Sequence, residues 1–590
     1  MAVENLITEH IDIWTSAVKT KSTSGRGSSK KLELYGVKKL RELILELAVR
    51  GKLVPQDPND EPASVLLERI AEEKDNLIKE KKIRKPIKTE QIGSDEVPFE
   101  LPVGWEWRRL VHLVTVLGDG LHGTPEYSEN GEYFFVNGNN LSNGSIQIKP
   151  ETKRVSEEQY LKHKKDLNDR TVLVSINGTL GNVGFYNNEA VMLGKSACYF
   201  NLFQDISKDY IKHLIESPYF RNYAFAVATG STIKNLGLKA MNNFVLAVPP
   251  KAEQHRIVAK VDELMTLCDQ LEQQTEASIE AHQVLVTTLL DTLTNSADAD
   301  ELMQNWARIS EHFDTLFTTE ESIDQLKQTI LQLAVMGKLV PQDPNDEPAA
   351  ELLKRIAEEK AQLVKEKKIK KQKALPPISE DEKPFELPNG WEWCHLNSLI
   401  SEMDAGWSPA CPPEASPNHE TWGVLKTTAV QSMEYREYEN KVLSPSKEPR
   451  PQYEVKNGDI LITRAGPKNR VGVSCLVQTT RPKLMISDKI IRFHLIELGM
   501  SNNFVSLCLN AGATSEYLES AKSGMAESQM NISQDKLKMA PIPLPPIREQ
   551  TLIVKKVEEL IDLCDKLKLS LEKGKHAHFQ FTDSVIEQAV

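Results

Sequence analysis

The stretch Gly51 to Ala63, GKLVPQDPNDEPA, occurs a second time, letter for letter, from Gly337 to Ala349, at an offset of 337 − 51 = 286. The offset persists through RIAEEK (Arg69 to Lys74 and Arg355 to Lys360) and through PFELPVGWEW (Pro98 to Trp107), which answers PFELPNGWEW (Pro384 to Trp393). A further echo pairs PPKAEQHRIVAKVDELMTLCDQL (Pro249 to Leu271) with PPIREQTLIVKKVEELIDLCDKL (Pro545 to Leu567), now at 545 − 249 = 296. Between the echoes the copies share only scattered positions. A near-identical frame offers one surface twice, and unlike inserts imply two different ligands or two halves of one ligand.

Length and composition set bounds on this reading. A chain of 590 residues is expected to form about three to five structural units around separate cores. No window approaches the ~18 to 20 apolar residues of a membrane span, and the N-terminal MAVENLITEHIDIW lacks the cationic and apolar regions of a secretory leader. A cytoplasmic protein is expected. The seven cysteines form no CxxC pair and no Cys/His cluster at zinc spacing, so they read as reduced thiols.

A net charge of −12 speaks against nucleic acid, which rewards Lys and Arg, until its distribution is resolved. Leu101 to Pro250 carries 15 Lys+Arg against 14 Asp+Glu, and Leu387 to Pro546 carries 16 against 17. The inserts are neutral together, so the acidic excess lies wholly on the frame. An acidic frame repels DNA from the wrong surface while local basic strips on the inserts engage it. One strip is Arg464-Ala-Gly-Pro-Lys468-Asn-Arg470, which would also serve as a solvated turn.

Periodicity supplies the elements. Ala2 to about Lys19 is expected to be helical, and Ser22 to Lys30 reads as a Gly/Ser linker. A helix over Val37 to Arg50 buries Leu40, Leu43, Ile44 and Leu47 and ends at Gly51, followed by a charged helix from Ala63 to about Arg84. EYFFVNG, TVLVSING and SACYFNLF read as strands of the first insert. Beyond Pro250, Ile257, Val261, Leu264, Cys268 and Leu271 form a heptad seam, repeated at Ile553, Val557, Leu560, Cys564 and Leu567. Two such helices, each on the order of 60 Å long at about 1.5 Å per residue, are expected to pack against each other antiparallel; burial in each copy's own core is the alternative.

The inserts echo each other faintly. Val172 to Gly178 (VLVSING) lines up with Ile460 to Gly466 (ILITRAG) and Val183-Gly184 with Val471-Gly472 at offset 288, while Asn235-Leu236 matches Asn531-Ile532 at 296. One fold for both inserts is expected, with a strand ending in a Gly-containing loop suited to reading base edges or to a simple turn. Gly118 to Gly123 (GDGLHG) fits GxGxxG, but Thr124-Pro125 follows where a dinucleotide site needs a helix, so a turn or a DNA-facing loop is preferred. Trp105, Trp107, Trp391 and Trp393 read as core packing ahead of base stacking. The basic runs Lys79 to Lys88 and Lys365 to Lys373 read as solvated helix ends ahead of phosphate contacts.

The order of frame, insert, PPxxEQ helix, frame, insert and PPxxEQ helix resembles the DNA-specificity subunit of type I restriction-modification systems over essentially the whole chain. Leu101-Pro-Val-Gly-Trp105 and Leu387-Pro-Asn-Gly-Trp391 open the inserts, and Pro249-Pro-Lys-Ala-Glu-Gln254 and Pro545-Pro-Ile-Arg-Glu-Gln550 close them. The resemblance implies an α+β protein with two mixed α/β target recognition domains in tandem, separated and joined by long antiparallel coiled-coil helices with internal pseudo-two-fold symmetry. It divides the chain into a helical frame (1–100), recognition domain 1 (101–250), a central frame and spacer helix (251–386), recognition domain 2 (387–546) and a C-terminal spacer helix (547–590). Each recognition domain would read half of a bipartite, asymmetric site in double-stranded DNA. The frame would dock two modification subunits, adenine methyltransferases, and then restriction subunits, the endonuclease and translocase. S-adenosylmethionine, ATP and magnesium belong to those partners, and no cofactor to this chain.

Consistent with a recognition role, none of the Pro-Pro pairs is followed by an aromatic residue, as an amino-methyltransferase tetrapeptide requires; Lys251, Ile378, Glu414 and Ile547 stand there. No Walker A sequence occurs either. Candidate DNA contacts are His122, Thr124, Ser175, Asn177, Thr179, Lys195 and Lys234 in the first insert, and Trp407, Lys426, Thr463, Arg464, Lys468, Arg470 and Lys522 in the second. The competing reading is a duplicated coiled-coil scaffold that joins two protein clients through its inserts.

Overall fold

The computed structural model describes residues 7–21, 31–85, 89–371, 375–380 and 383–590. The chain is α+β and divides into two units, residues 1–278 with 574–590 and residues 279–573. In the first unit, α1 (Tyr35–Val49) buries Val37, Leu40, Leu43, Ile44 and Leu47. It stops at Gly51, whose φ of +67° suits glycine, and a Cβ there would lie 2.4 Å from Pro102 Cγ. The repeated glycine is thus fixed by the proline of the LPxGW motif. α2 (Ala63–Lys79) follows, shorter than expected, because Lys81 turns left-handed.

The first insert is built on an antiparallel sheet of β1 (Val114–Asp119), β2 (Thr171–Ser175), β3 (Val183–Phe185) and β4 (Ala197–Leu202), in the order β3-β2-β4-β1. A three-stranded sheet of Tyr133–Val136, Arg154–Val155 and Val191–Leu193 adjoins it. Val136, Leu173, Leu193, Ala197 and Tyr199 form a core between them. Glu106–Arg109 pairs with Val245–Val248, so the insert starts and finishes on one ladder. α3 (Lys251–Thr294) then begins in the first unit and ends in the second.

The second unit repeats this plan. α4 (Glu320–Val335) ends at Gly337, with φ +72° and Pro388 Cγ 2.5 Å from the would-be Cβ, and α5 (Ala349–Lys365) follows. β5 (Ile400–Ala405), β6 (Ile460–Thr463), β7 (Ser474–Leu476) and β8 (Ile490–Leu495) lie in the order β7-β6-β8-β5, the same topology strand for strand. β6 shows why these strands are continuously apolar: Ile460 and Ile462 join the core of the helices behind the sheet, while Leu461 joins the core with Leu425, Leu484 and Ile486 in front. Glu392–His395 closes on Pro541–Leu544, and α6 (Ile547–Ala589) completes the chain.

The repeated motifs clamp each insert to its frame. Trp105 Nε1 donates to Glu253 Oε2 at 2.9 Å and Gln56 Nε2 to Glu253 Oε1 at 3.1 Å; Trp391 and Gln342 serve Glu549 in the same way at 3.0 and 3.2 Å. Burial holds both carboxyls above their usual range, against the pull of these donors. Gln254 accepts from Ser207 N–H and donates to Pro249 O, and Gln550 does the same with Ser501 and Pro545. A buried lysine adds a second tie in each unit. Lys74 Nζ donates to the carbonyls of Val111 and Val114, Lys360 Nζ to that of Asn397, and burial pushes both amines down to about 8.

The N-terminal expectation changes. Of the expected N-terminal helix, Ile11–Ser16 is helical, and Val18–Lys21 pairs as a strand with Lys31–Leu34; Ala2 to Leu6 and the Ser22 to Lys30 linker lie outside the described residues. Ile257, Val261, Leu264 and Cys268 are buried as the heptad period requires. Their unit sets them beside its own frame helix, where Arg41 of α1 bonds Asp269 and Glu272 at 2.7 Å. In the second unit Lys327 and Asp324 of α4 likewise bond Asp565 and Lys568 of α6. Each frame helix also receives the far end of the other long helix: Tyr35 Oη donates to Asp583 at 2.8 Å, and Gln325 Nε2 to Thr287 Oγ1 at 3.0 Å. Parts of both basic runs lie outside the described residues.

Candidate nucleic-acid interface

The antiparallel register decides which loops meet. Asp119 ends β1 opposite Cys198, and Ser175 ends β2 opposite Ala197, so the loops at 120–124, 176–182 and 194–196 share one end of the sheet. Backbone bonds lace them together. Leu121 N–H donates to Leu193 O at 2.7 Å and Ile176 N–H to Ser196 O at 3.0 Å. The turn around 229–235 joins through Gly178 N–H to Lys234 O at 2.9 Å and Leu236 N–H to Ile176 O at 2.8 Å. Gly120 is required here, since a Cβ would lie 2.1 Å from Leu193 O. The GxGxxG match is therefore a close backbone crossing with no helix after it.

The second insert makes the same bonds with other side chains. Arg464 N–H donates to Lys489 O and Ile532 N–H to Arg464 O, both at 2.8 Å. Arg464 thus occupies the backbone place of Ile176, and Lys489 that of Ser196. Thr229 and Asn235 exchange two backbone bonds, as do Ser523 and Asn531. Gly406 crosses Ile486 as Gly120 crosses Leu193, with 1.9 Å to a would-be Cβ. Gly181 N–H returns to Ser175 O at 2.9 Å and Gly472 N–H to Thr463 O at 2.8 Å. The sequence alignment of Val183-Gly184 with Val471-Gly472 is corrected by this: Val183 pairs with Val174 as Ser474 pairs with Ile462, at offset 474 − 183 = 291. The second loop is longer by three residues (291 − 288).

The residues singled out from sequence in the first insert gather at this end of the sheet. His122, Thr124, Thr179 and Lys195 are exposed, and Asn177 and Lys234 are half-buried. His122 Nε2 lies 2.6 Å from Asp119 Oδ2, and Asn177 Nδ2 donates to Asn235 Oδ1 at 3.3 Å. Ser175 is fully buried beneath the loop, its Oγ accepting from Asn182 N–H at 2.9 Å, so its expected place on the surface is corrected to an internal one.

In the second insert several candidates are committed internally. Thr463 is fully buried and its hydroxyl donates to Arg470 O. Arg470 donates to Gln431 Oε1 at 2.9 Å and to the carbonyls of Thr427 and Val430 at 2.8 Å, and burial lowers its pKa. It fastens the loop rather than presenting a charge. Lys522 is largely buried against Glu519 and Lys468 O, and Lys468 Nζ lies 3.8 and 3.9 Å from Glu519 and Glu527. Lys426 pairs with Glu439 at 3.4 Å. Trp407 is half-buried, with the Arg450 guanidinium 4.2 Å above its ring. Arg464 is half-buried, and among the described residues its side chain has no hydrogen bond or ion pair. Lys489, exposed beside it, escaped the sequence reading; aligning SACYFNLF with KIIRFHLI, at offset 489 − 196 = 293, would have found it.

Among the described residues, no helix is long and apolar enough to cross a membrane, and no cluster of His, Cys, Asp or Glu could hold a metal ion. The seven cysteines are free thiols, six of them buried. Residues 102–281 and 430–573 match the family described as "Type I restriction modification DNA specificity domain". The specificity subunit of type I restriction enzyme EcoEI from Escherichia coli is 54% identical over 600 aligned residues, with 100% of both chains covered. That of EcoAI, also from Escherichia coli, is 40% identical with 100% of both covered. A crystal structure of the HsdS subunit from Thermoanaerobacter tengcongensis is 17% identical, covering 83% of this chain and 98% of that one, with a TM-score of 0.36. The match over more than half of the chain and the full-length identity show that this chain belongs to the DNA-specificity subunits of type I restriction-modification systems, the recognition component and not the catalytic one.

Proposed function

We propose that residues 101–250 and 387–546 are two target recognition domains, each reading one half of a bipartite, asymmetric site in double-stranded DNA. The observation that carries this reading is one backbone cradle used twice with different side chains. A common cradle docks two half-sites alike, and unlike side chains make those half-sites unlike. The frame segments 1–100, 251–386 and 547–590 supply two copies of one surface for two adenine-modifying subunits, which the restriction subunits join. The long helices set the spacer between half-sites. Linking the domains raises the effective concentration of the second once the first has bound. Such an assembly works on cellular DNA, which places the chain in the cytoplasm.

The test is to co-express the chain with its modification subunit and sequence adenine methylation across the host genome. One split motif with an invariant spacer is the expected result. An assembled complex that adds no methylation would overturn the reading and favour a protein scaffold.

A further inference from the structure

The second loop presents one arginine fork with no hydrogen bond or ion pair among the described residues. Arg464 is pinned at the end of β6 on both sides of its Cα, by its N–H to Lys489 O and by its carbonyl from Ile532 N–H, each at 2.8 Å. Three other cations of the cluster are spent, Arg470 on Gln431 and two carbonyls, Lys468 and Lys522 on Glu519, and Lys489, exposed beside Arg464, is an ammonium without a planar fork. At the same backbone place the first insert carries Ile176, 3% exposed and without a side-chain donor. A planar donor fork on a fixed stem is therefore particular to the second insert.

Such a fork pairs with two acceptors lying side by side. In the major groove, guanine offers this through O6 and N7, whereas adenine sets a donor beside its acceptor. Phosphate is the other bidentate partner of arginine. A half-buried guanidinium at the centre of converging loops suits a base edge better than the rim position from which phosphates are held. Resting on the recognition role proposed above, we infer that the half-site read by residues 387–546 contains a G·C pair whose guanine is read by Arg464.

The experiment compares the methylomes written by complexes containing the wild-type chain, Arg464→Ala and Arg464→Lys. The expected result for Arg464→Ala is loss of about ten- to a hundredfold preference for guanine at one position of one half-site, with the other half-site still read. Arg464→Lys keeps the charge but loses the planar fork, and should relax the same position part of the way. A wild-type second half-site without a guanine on either strand overturns the inference. So does a uniform fall in methylation with the motif unchanged in Arg464→Ala and restored by Arg464→Lys, the mark of a phosphate contact. Absence of any split motif with the wild-type chain is a failure of the recognition reading itself, so the two are told apart. Retained reading of the first half-site shows that the variants fold and assemble.

Discussion

The two inserts agree in their hydrogen bonds and disagree in their side chains. Ile176 and Arg464 donate and accept at the same backbone points, and Ser196 and Lys489 accept from them at one more. The frames agree in both: Trp105 and Trp391 meet Glu253 and Glu549 at 2.9 and 3.0 Å. The difference shows where each kind of constraint acts. A surface used twice for one partner must keep its side chains, whereas a loop scaffold needs only its glycine crossings and strand ends. Gly120 and Gly406 keep their place because backbone lies under 2.5 Å from any added Cβ. The side chains between them are free to differ.

The largest expected effect comes from exchanging loops on that common scaffold. Replacing Arg464 to Gly472 with Ile176 to Gly181 should leave the fold intact, because the flanking bonds are the same in both inserts. Second half-site recognition should fall to the non-specific level, a loss of about 10³-fold or more, read as disappearance of that half from the methylated motif. Unfolding of the chimera would break the equivalence. The next effect belongs to the frame. Glu253→Ala and Glu549→Ala each orphan a buried indole N–H, while the glutamine amide keeps its bond to Gly51 O or Gly337 O, so each should cost about 1–3 kcal/mol, equally in both units. Chemical denaturation followed at each unit's buried tryptophans tests this, and unequal costs would show that the frames are alike in sequence only.

The repeat, the buried α1 face and the common insert fold were legible because each is written locally, in identical letters or in a period. What covers a face is not written locally. The seam through Ile257 and Val261 announces burial, yet the frame helix beside it is fixed by Arg41, more than 200 residues away in sequence. The same holds for Val18–Lys21, which reads as helix until its strand partner Lys31–Leu34 is known. At the candidate interface the sequence singled out loops that share one end of the sheet. It could not tell a loop's surface from its fastenings, so Arg470, Thr463 and Ser175 were grouped with Arg464. Lys489 was passed over because its loop has no glycine signature.

The buried lysines give a matched pair of pH effects. Lys74 and Lys360 titrate near 8 when folded and near 10.5 in the open chain. Between those values the unfolded state binds more protons, so their contribution to stability grows as pH rises from about 8 to about 10.5. It is lost as pH falls from about 10.5 to about 8, and below that both states carry the proton and the slope vanishes. Each adds a slope of up to about 1.4 kcal/mol per pH unit. Lys74→Met should remove that slope from the first unit only and Lys360→Met from the second, as the difference from wild type across this window.

The smallest effect separates holding a loop from touching DNA. Ser175 and Thr463 stand at equivalent places under loops of different length, both fully buried. Ser175→Ala leaves the Asn182 N–H without its acceptor, whereas Thr463→Val leaves only carbonyls, Arg470 O and Val473 O, short of one donor. An orphaned N–H is tolerated less well than an under-satisfied carbonyl. Both costs should fall within about 0.5–2 kcal/mol, with Ser175→Ala the larger. Faster hydrogen exchange at Asn182 would report the loosened loop directly. If the hydroxyls only fasten loops, neither substitution alters which bases are read, although both weaken reading at their own half-site. A changed base preference in Ser175→Ala would mean that the hydroxyl reaches DNA after all, and that the loop above it lifts away on binding.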